Sequence, residues 1–163
     1  MIAQTGAAAS ALRAHEELFG YWAGLKKADR LPGRRDIDPA DFKRLLPTVS
    51  LVDVVRRDPL DFKTRLAGTG LYSVYGREIT GLRMEDIYPA HEAAEWRDRL
   101  KRVVETRKPA MGVHSLAWRG TGRLSIVWLR LPLAADGTNV DMILGYDAVV
   151  GVRDEPPSGV RAA

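Results

Sequence analysis

Residues 68–73 (Gly-Thr-Gly-Leu-Tyr-Ser) place glycines at the first and third positions of the dinucleotide-binding fingerprint. In that fingerprint a strand runs into a helix whose first backbone N–H groups hold a pyrophosphate. Here the sixth position is Ser73, and the preceding strand belongs to a predicted hairpin instead of a parallel β-α-β unit. We therefore interpret the glycines as permitting a sharp strand-to-helix turn, with nucleotide binding as the alternative.

Two carboxylates in a basic loop, Asp36 and Asp38 beside Arg34 and Arg35, are residue types that could act as a general acid and base. Asp38 also precedes Pro39, which is the pattern of an N-cap followed by proline at the first helical position. We predict that both carboxylates cap helices and form local ion pairs. The sequence has no nucleophile-elbow serine and no His-Glu metal helix, so we predict no enzymatic activity, with a small-molecule enzyme as the alternative.

The chain has three histidines (His15, His91 and His114) and no cysteine. No second histidine or carboxylate lies at metal-ligand spacing from His114, so we predict a sheet-face residue and no metal site. Without cysteine, the chain cannot form disulfides, Cys-ligated zinc sites, iron–sulfur clusters, a thiol nucleophile or a covalent flavin adduct. We expect a reducing compartment, the cytoplasm, because there is also no apolar stretch of about 18 residues and no signal-peptide pattern.

The formal net charge of the 163 residues is +4, and the isoelectric point is near 9.6. Basic and acidic residues nevertheless alternate along most of the chain, as in Glu95-Trp96-Arg97-Asp98-Arg99. Mixed charge of this kind is typical of a solvated surface, whereas a nucleic-acid footprint concentrates one sign. We predict that nucleic acid is not a partner, and we keep a basic nucleic-acid-associated protein as a further alternative.

Hydrophobic periodicity predicts a single α+β domain in which two runs of strands flank a set of helices. We divide the chain into an amphipathic N-terminal helix within residues 1–28, a domain at 29–152 and a disordered tail at 153–163. The predicted strands are 49–55, 61–67, 110–118, 124–133 and 140–150. The predicted helices are 7–28, 40–46, a short one at 71–75 and a longer one at 91–107.

This order of elements resembles that of the PAS sensory domains, and three segments sharpen the resemblance. They are Leu31-Pro32 through Asp36-Ile37-Asp38-Pro39 to Leu45-Leu46-Pro47, then Asp61-Phe62 with Arg65-Leu66-Ala67-Gly68-Thr69, and Tyr75-Gly76-Arg77-Glu78-Ile79-Thr80-Gly81. The resemblance is to a stand-alone bacterial PAS subfamily and covers roughly Leu18 to Val150. It implies a five-stranded antiparallel sheet in the order 2-1-5-4-3, with helices enclosing a pocket against one face.

The resemblance also implies a non-enzymatic module that binds a small ligand, or mediates protein–protein interaction and dimerisation. On this analogy the partners are a second copy of the chain and an unidentified signalling protein. The cofactor stays unknown: non-covalent flavin is open, and haem is an alternative through His91, which we otherwise interpret as a solvated capping residue. We predict a dimer interface on the N-terminal helix at Leu18, Phe19, Trp22 and Leu25. The predicted ligand pocket is lined by Phe62, Arg65, Leu66, Leu71, Tyr72, Val74, Tyr75, Ile87, Val113, Trp128 and Tyr146, with a filled core as the alternative.

Overall fold

A computed structural model of the chain describes residues 2–120 and 124–151, with side chains from residue 6 onward. The tail predicted to be disordered, 153–163, lies outside the described residues. The division of the chain at residue 28 stays a prediction. In the described ranges, no helix is both long enough and apolar enough to cross a membrane.

Five antiparallel strands form one sheet in the order β2-β1-β5-β4-β3, which confirms the predicted topology. The strands are β1 (Val49–Val55), β2 (Asp61–Ala67), β3 (Ala110–Ser115), β4 (Leu124–Leu133) and β5 (Met142–Gly151). The bounds of β1, β2 and β4 agree with the sequence prediction. The third strand is shorter than predicted, because residues 117–119 turn away as a 3₁₀ segment.

Two layers of helix cover the sheet. We call the face under α4 (Ala90–Thr106) the inner face, since Trp96 of α4 packs against Trp128 of β4 there. The outer face lies under α1 (Ile2–Leu25), whose Trp22 donates its indole N–H to the carbonyl of Pro132 over 2.9 Å. Two short helices, α2 (Leu71–Tyr75) and α3 (Met84–Ile87), complete the inner layer, and a 3₁₀ segment (Pro39–Thr48) lies beside α1.

The helix α1 ends at Leu25, three residues before the predicted end, because Ala28 adopts a left-handed φ of 53° in the turn that follows. Leu18 and Trp22 are 0% and 2% exposed, since they face the outer side of the sheet. They cannot contact a second molecule, so this part of the predicted dimer interface is wrong. Leu25 is half-buried, and Phe19 is the one residue of the four that is largely exposed.

A β-bulge in β2 changes the direction of the side chains along that strand. Leu51 of β1 pairs with Leu66, but the next residue, Val52, pairs with Thr64, so Arg65 has no opposite residue. Phe62 and Thr64 are therefore buried on the inner side, while Leu66 is 47% exposed. Placing Leu66 in the pocket was wrong, because the extra residue shifts the phase of the strand by one. Placing Arg65 there was wrong as well, since its side chain is exposed and pairs with Asp53.

Candidate functional site

The inner face encloses a cavity of only about 20 Å³, which we call the inner cavity. That volume holds about one water molecule, whereas small-molecule sites are roughly 300–1,000 Å³. Half of its lining residues are polar or phenolic, although they lie in a buried layer. The lining residues are Ser50, Val52, Thr64, Tyr75, Ile79, Met84, Ile87, Tyr88, Trp96, Leu100, Arg130 and Asp147.

A buried chain of hydrogen bonds runs along the inner cavity. Arg130 of β4 donates from Nη1 to Oδ1 of Asp147 on β5 over 2.8 Å, and the two side chains are 6% and 2% exposed. The hydroxyl of Tyr75 donates to Oδ2 of the same carboxylate over 2.8 Å. Tyr88 in turn donates to the hydroxyl of Tyr75 over 3.0 Å. Both carboxylate oxygens of Asp147 are thus occupied by side chains of the chain itself.

The sheet register brings this ion pair together. Arg130 lies directly opposite Gly145 in the β4–β5 ladder, and Asp147 is two residues further along β5 on the same face. A Cβ atom at position 145 would lie 2.5 Å from Oγ of Ser50 and 3.2 Å from Nη1 of Arg130, so glycine leaves room for both side chains. Nη1 also donates to the carbonyl oxygens of Leu129 and Tyr146 over 2.9 and 3.3 Å. The charge is therefore paired and hydrogen-bonded, as a buried charge must be.

The protonation of this chain follows from its burial. Loss of water raises the pKa of Tyr75 well above its ordinary value, and the Asp147 carboxylate raises it further. Burial raises the pKa of Tyr88 as well. Burial alone would lower the pKa of Arg130, but the adjacent Asp147 carboxylate holds it above the ordinary value. Both phenols thus stay protonated donors and Arg130 stays charged through neutral pH, so none of these three groups is suited to exchange a proton there.

Aromatic rings fill the space between the ion pair and β3. Trp96 packs edge-on against both Trp128 and His114 with ring centroids 5.3 Å apart, and the Arg130 guanidinium carbon lies 4.8 Å from the Trp96 ring centre. Arg99 lies 4.9 Å from the same ring and donates to Nδ1 of His114 over 3.0 Å. Cation–π contacts of this kind stabilise a desolvated guanidinium. The inner face is consequently closed by packed side chains.

The predicted pocket residues fall into two groups. Tyr75 and Ile87 line the inner cavity, and Trp128 lies beside it; Phe62, Leu71 and Val74 are buried in the surrounding core. The others lie elsewhere, because the strand phase or helix face differs from the predicted one. Tyr146 faces α1 on the outer side of the sheet, where its ring contacts His15. Val113 and Tyr72 are 64% and 59% exposed, Leu66 points outward, and Arg65 pairs with Asp53 at 2.8 Å.

Of the polar half of the site, the sequence analysis predicted only Tyr75. It missed Trp96 and the polar residues Ser50, Thr64, Tyr88, Arg130 and Asp147. A signal for two of them was present, since Arg130 and Asp147 are single charged residues within otherwise apolar strands. A charged residue in such a strand is seldom buried unless it is paired, so two of them in one sheet indicate a buried ion pair.

The cofactor alternatives do not fit this inner face. A flavin needs a slot far larger than one water, and the space is taken by Tyr88, Trp96 and the Arg130–Asp147 pair. His91, the haem alternative, has an 83% exposed side chain and lies 3.1 Å from Glu95, away from the inner cavity. Asp36 and Asp38 accept hydrogen bonds from the backbone N–H groups of Gly33 and Ala40, which confirms their capping role.

Two buried histidines make stability depend on pH. Burial lowers the pKa of both His15 and His114, and Arg99 adds to the effect at His114. Nε2 of His15 lies 3.0 Å from the carbonyl oxygen of Val127, and buried Nδ1 has no partner among the described residues. Since the folded pKa lies below that of the unfolded chain, stability is complete above about pH 6.5 and falls as acid protonates the unfolded chain first.

We therefore expect the free energy of unfolding to decrease between about pH 6.5 and pH 5, by at most about 1.4 kcal/mol per pH unit for each histidine. Urea unfolding at several pH values measures this slope. The His15→Gln variant should show a shallower slope, while His91→Gln, at an exposed position, should keep that of the wild type. Equal slopes in all three proteins would show that buried His15 does not contribute to the pH dependence of the free energy of unfolding.

The outer face carries exposed apolar side chains on two elements. Leu12 and Phe19, seven residues apart on one side of α1, are 52% and 44% exposed. That side faces away from Glu17, which pairs with Arg44 of the 3₁₀ segment. On β3, Met111 and Val113 are 55% and 64% exposed.

The His15–Val127 contact places α1 above β4, whose neighbour is β3. Leu12, Phe19, Met111 and Val113 therefore lie on the same side of the molecule, and we call them the outer apolar surface.

Comparison with known proteins gives a family and a fold. A family model described as a PAS domain matches residues 11–147. Among solved structures, the RsLOV d2 variant is similar at 15% identity over 73% of this chain and 72% of its own, with a TM-score of 0.51. The LOV protein of Rhodobacter sphaeroides has 15% identity, coverages of 71% and 69%, and a TM-score of 0.49. At such identities the similarity concerns the fold alone. None of the curated proteins compared with the chain matches it.

Proposed function

Since the chain belongs to the PAS domain family, we propose that it is a non-enzymatic sensory signalling module that acts by associating with a second copy of itself. The observation that carries the proposal is the contrast between the two faces of the sheet. The inner face is closed around about 20 Å³ of space, while large apolar side chains are exposed on the outer face. A packed interior and an unburied apolar surface together favour interaction over cofactor chemistry.

A second copy suits the outer apolar surface for two reasons. Its members are a phenylalanine, a methionine, a leucine and a valine without a charge among them, and Phe and Met are enriched at protein interfaces. It also combines a helix side with a strand at the edge of the sheet, so a two-fold arrangement can place the same residues opposite each other. This surface replaces the predicted interface, of which it keeps Phe19.

Charge introduced into the outer apolar surface should dissociate the dimer. We expect Val113→Glu to raise the dissociation constant at least about 10-fold, because two buried carboxylates would oppose each other across the two-fold axis. Val113 is 64% exposed, so the fold tolerates the change. Sedimentation velocity over a concentration series measures the effect.

Tyr72→Glu provides the matched control, since Tyr72 is 59% exposed on α2, outside the outer apolar surface. It should sediment as the wild type does. A wild type that is monomeric at tens of micromolar would contradict the proposal, and so would Val113→Glu and Tyr72→Glu variants that associate equally well.

The other function classes are less well supported. An enzyme would need convergent titratable groups at an accessible site, whereas Arg130, Asp147 and Tyr75 are buried and bonded to one another. Nucleic-acid binding would show as retention on DNA that falls steeply with salt. Ligand sensing at the inner cavity would require these packed side chains to move.

A further inference from the structure

An open pocket of about 320 Å³ lies where α1 ends, between the loop that follows α1 and the β4–β5 turn. Its volume lies within the range of small-molecule sites, roughly 300–1,000 Å³. The loop belongs to the segment from Leu31 to Pro39 that carries part of the family resemblance. Neither the inner cavity nor the outer apolar surface uses this segment. We call the site the basic pocket, for the side chains described below.

One side of the basic pocket is apolar and firmly held. It is formed by Leu25, Leu31, Pro32 and Ala134, of which Leu31 and Ala134 are 5% and 1% exposed. The backbone N–H of Leu31 donates to the carbonyl of Gly137 over 2.9 Å, and that of Ala134 donates to the carbonyl of Pro32 over 2.9 Å. The loop is therefore paired with the β4–β5 turn, and the apolar wall is preformed.

The other side carries an excess of positive charge. Lys27, Arg30 and Arg35 line it together with one carboxylate, Asp36, so three positive charges face one negative charge. Asp36 is already engaged, because it accepts a hydrogen bond from the backbone N–H of Gly33 over 2.8 Å. Among the described residues, none of the three cations forms an ion pair. The lining thus has an excess of positive charge, which the nearby Asp136 carboxylate reduces at Arg30, and such an excess in a partly enclosed site attracts anions.

One arginine of the lining, Arg30, is fixed by the β4–β5 turn, and a second arginine outside the lining, Arg107, bonds to the same turn. The Arg30 guanidinium packs on Gly137, where a Cβ atom would lie 2.7 Å from it, and Nη2 donates to the carbonyl of Asp136 over 2.6 Å. Arg107, at the end of α4, donates from Nη2 to the carbonyls of Asp29 and Gly137. Its buried Nε–H has no acceptor among the described residues. The turn thus fixes the position of the Arg30 guanidinium at the cationic side of the pocket.

We propose that the basic pocket binds a small organic anion, with its oxyanion head at the cationic side and an apolar body against Leu31 and Pro32. Arginine suits this role because its guanidinium forms paired hydrogen bonds with carboxylate and phosphate oxygens. The side chains of Arg30 and Arg35 are both exposed; Arg30 is held in position by its bond to the Asp136 carbonyl, and Arg35 supplies the second cation. A ligand here would touch the end of α1, the following loop and the β4–β5 turn together, and so would couple α1 to the sheet.

Two-dimensional ¹H–¹⁵N NMR with hexyl phosphate and hexanoate tests the proposal, with neutral hexanol and inorganic phosphate as comparison probes. We expect saturable shifts of the amides of Leu31, Arg35 and Gly137 at concentrations up to about 10 mM. Arg35→Glu should weaken binding at least about 10-fold. Arg34→Glu makes the same charge change outside the pocket lining and should stay within about 2-fold.

Three results would overturn the proposal: no saturation with either organic anion, shifts of equal size with hexanol, or equal losses in the Arg34 and Arg35 variants. The last result would indicate a diffuse effect of surface charge. The titration can be repeated on Val113→Glu, so a failure of self-association and a failure of anion binding are separate results.

Discussion

Replacement of Arg130 by methionine is expected to lower the free energy of unfolding by about 3–5 kcal/mol, because it leaves the Asp147 carboxylate buried without its cation. Asp147 is 2% exposed, and its remaining partner would be the hydroxyl of Tyr75. Methionine keeps most of the length and the apolar stem of arginine. The decrease in the free energy of unfolding therefore reflects the removal of the charge more than a loss of packing. Urea unfolding near neutral pH measures the change.

Arg65→Met is the matched control, because Arg65 forms an ion pair with Asp53 at the surface, with a 59% exposed side chain. We expect only a small loss of stability there, because an exposed ion pair contributes little to the free energy of unfolding. In the double variant Arg130→Met with Asp147→Leu, no charge is left unpaired, and stability should recover relative to Arg130→Met alone. If Arg130→Met costs no more than Arg65→Met, the ion pair does not hold the inner face together.

Replacement of Gly68 by alanine is expected to lower the free energy of unfolding by about 1–3 kcal/mol, at the upper end of that range. A Cβ atom at this position would lie 2.2 Å from the carbonyl oxygen of Leu46 and 2.4 Å from that of Pro47. Both are backbone atoms, which cannot rotate away as a side chain can. To make room for the methyl group, the 3₁₀ segment would have to move away from the strand-to-helix turn that begins at Gly68.

Gly20→Ala is the control for the glycine substitution, since a Cβ atom at this position of α1 has no neighbour within 4 Å. Alanine should raise stability there by about 0.5–1 kcal/mol, because glycine is entropically unfavourable in a helix. Chemical denaturation of both variants is the measurement. A Gly68→Ala protein as stable as the wild type would mean that the close approach to Leu46 does not constrain the chain.

The strands were predictable because they depend on features that repeat along the chain, and their order in the sheet followed from the resemblance to PAS domains. Apolar alternation, turn residues and the three recognised segments placed the five strands, and three of them have the predicted bounds. The glycine pair at 68 and 70 was also interpreted correctly as a turn. The structure adds a tertiary cause, because a Cβ atom at either position would lie within 3 Å of the carbonyl oxygen of Pro47.

The site was less predictable because its residues meet through pairings that the sequence does not display. One unpaired residue in β2, Arg65, reversed the direction of Leu66, and alternation alone gives no sign of such a bulge. The apolar stripe of α1 predicted a buried face correctly. It could not distinguish the chain's own sheet from a second molecule, and Leu18 proved to contact the sheet.

Arg130 and Asp147 are 17 residues apart and lie on different strands. Their contact depends on the β4–β5 register and on the absence of a side chain at Gly145, which becomes evident only when the two strands are aligned. In the same register Trp128 lies opposite Asp147, so the aromatic cluster lies beside the ion pair. The occurrence of single charged residues within apolar strands is the sequence pattern that could have predicted this ion pair.

Native mass spectrometry of the purified protein at about 10 µM, with its visible absorbance spectrum, tests the central claim most directly. The claim is that the inner face is filled by the chain's own side chains and that the module acts by self-association. It predicts a species of twice the 18.1 kDa chain mass, with no bound chromophore and no visible band. A monomer at that concentration, or a co-purifying flavin or haem, would contradict it.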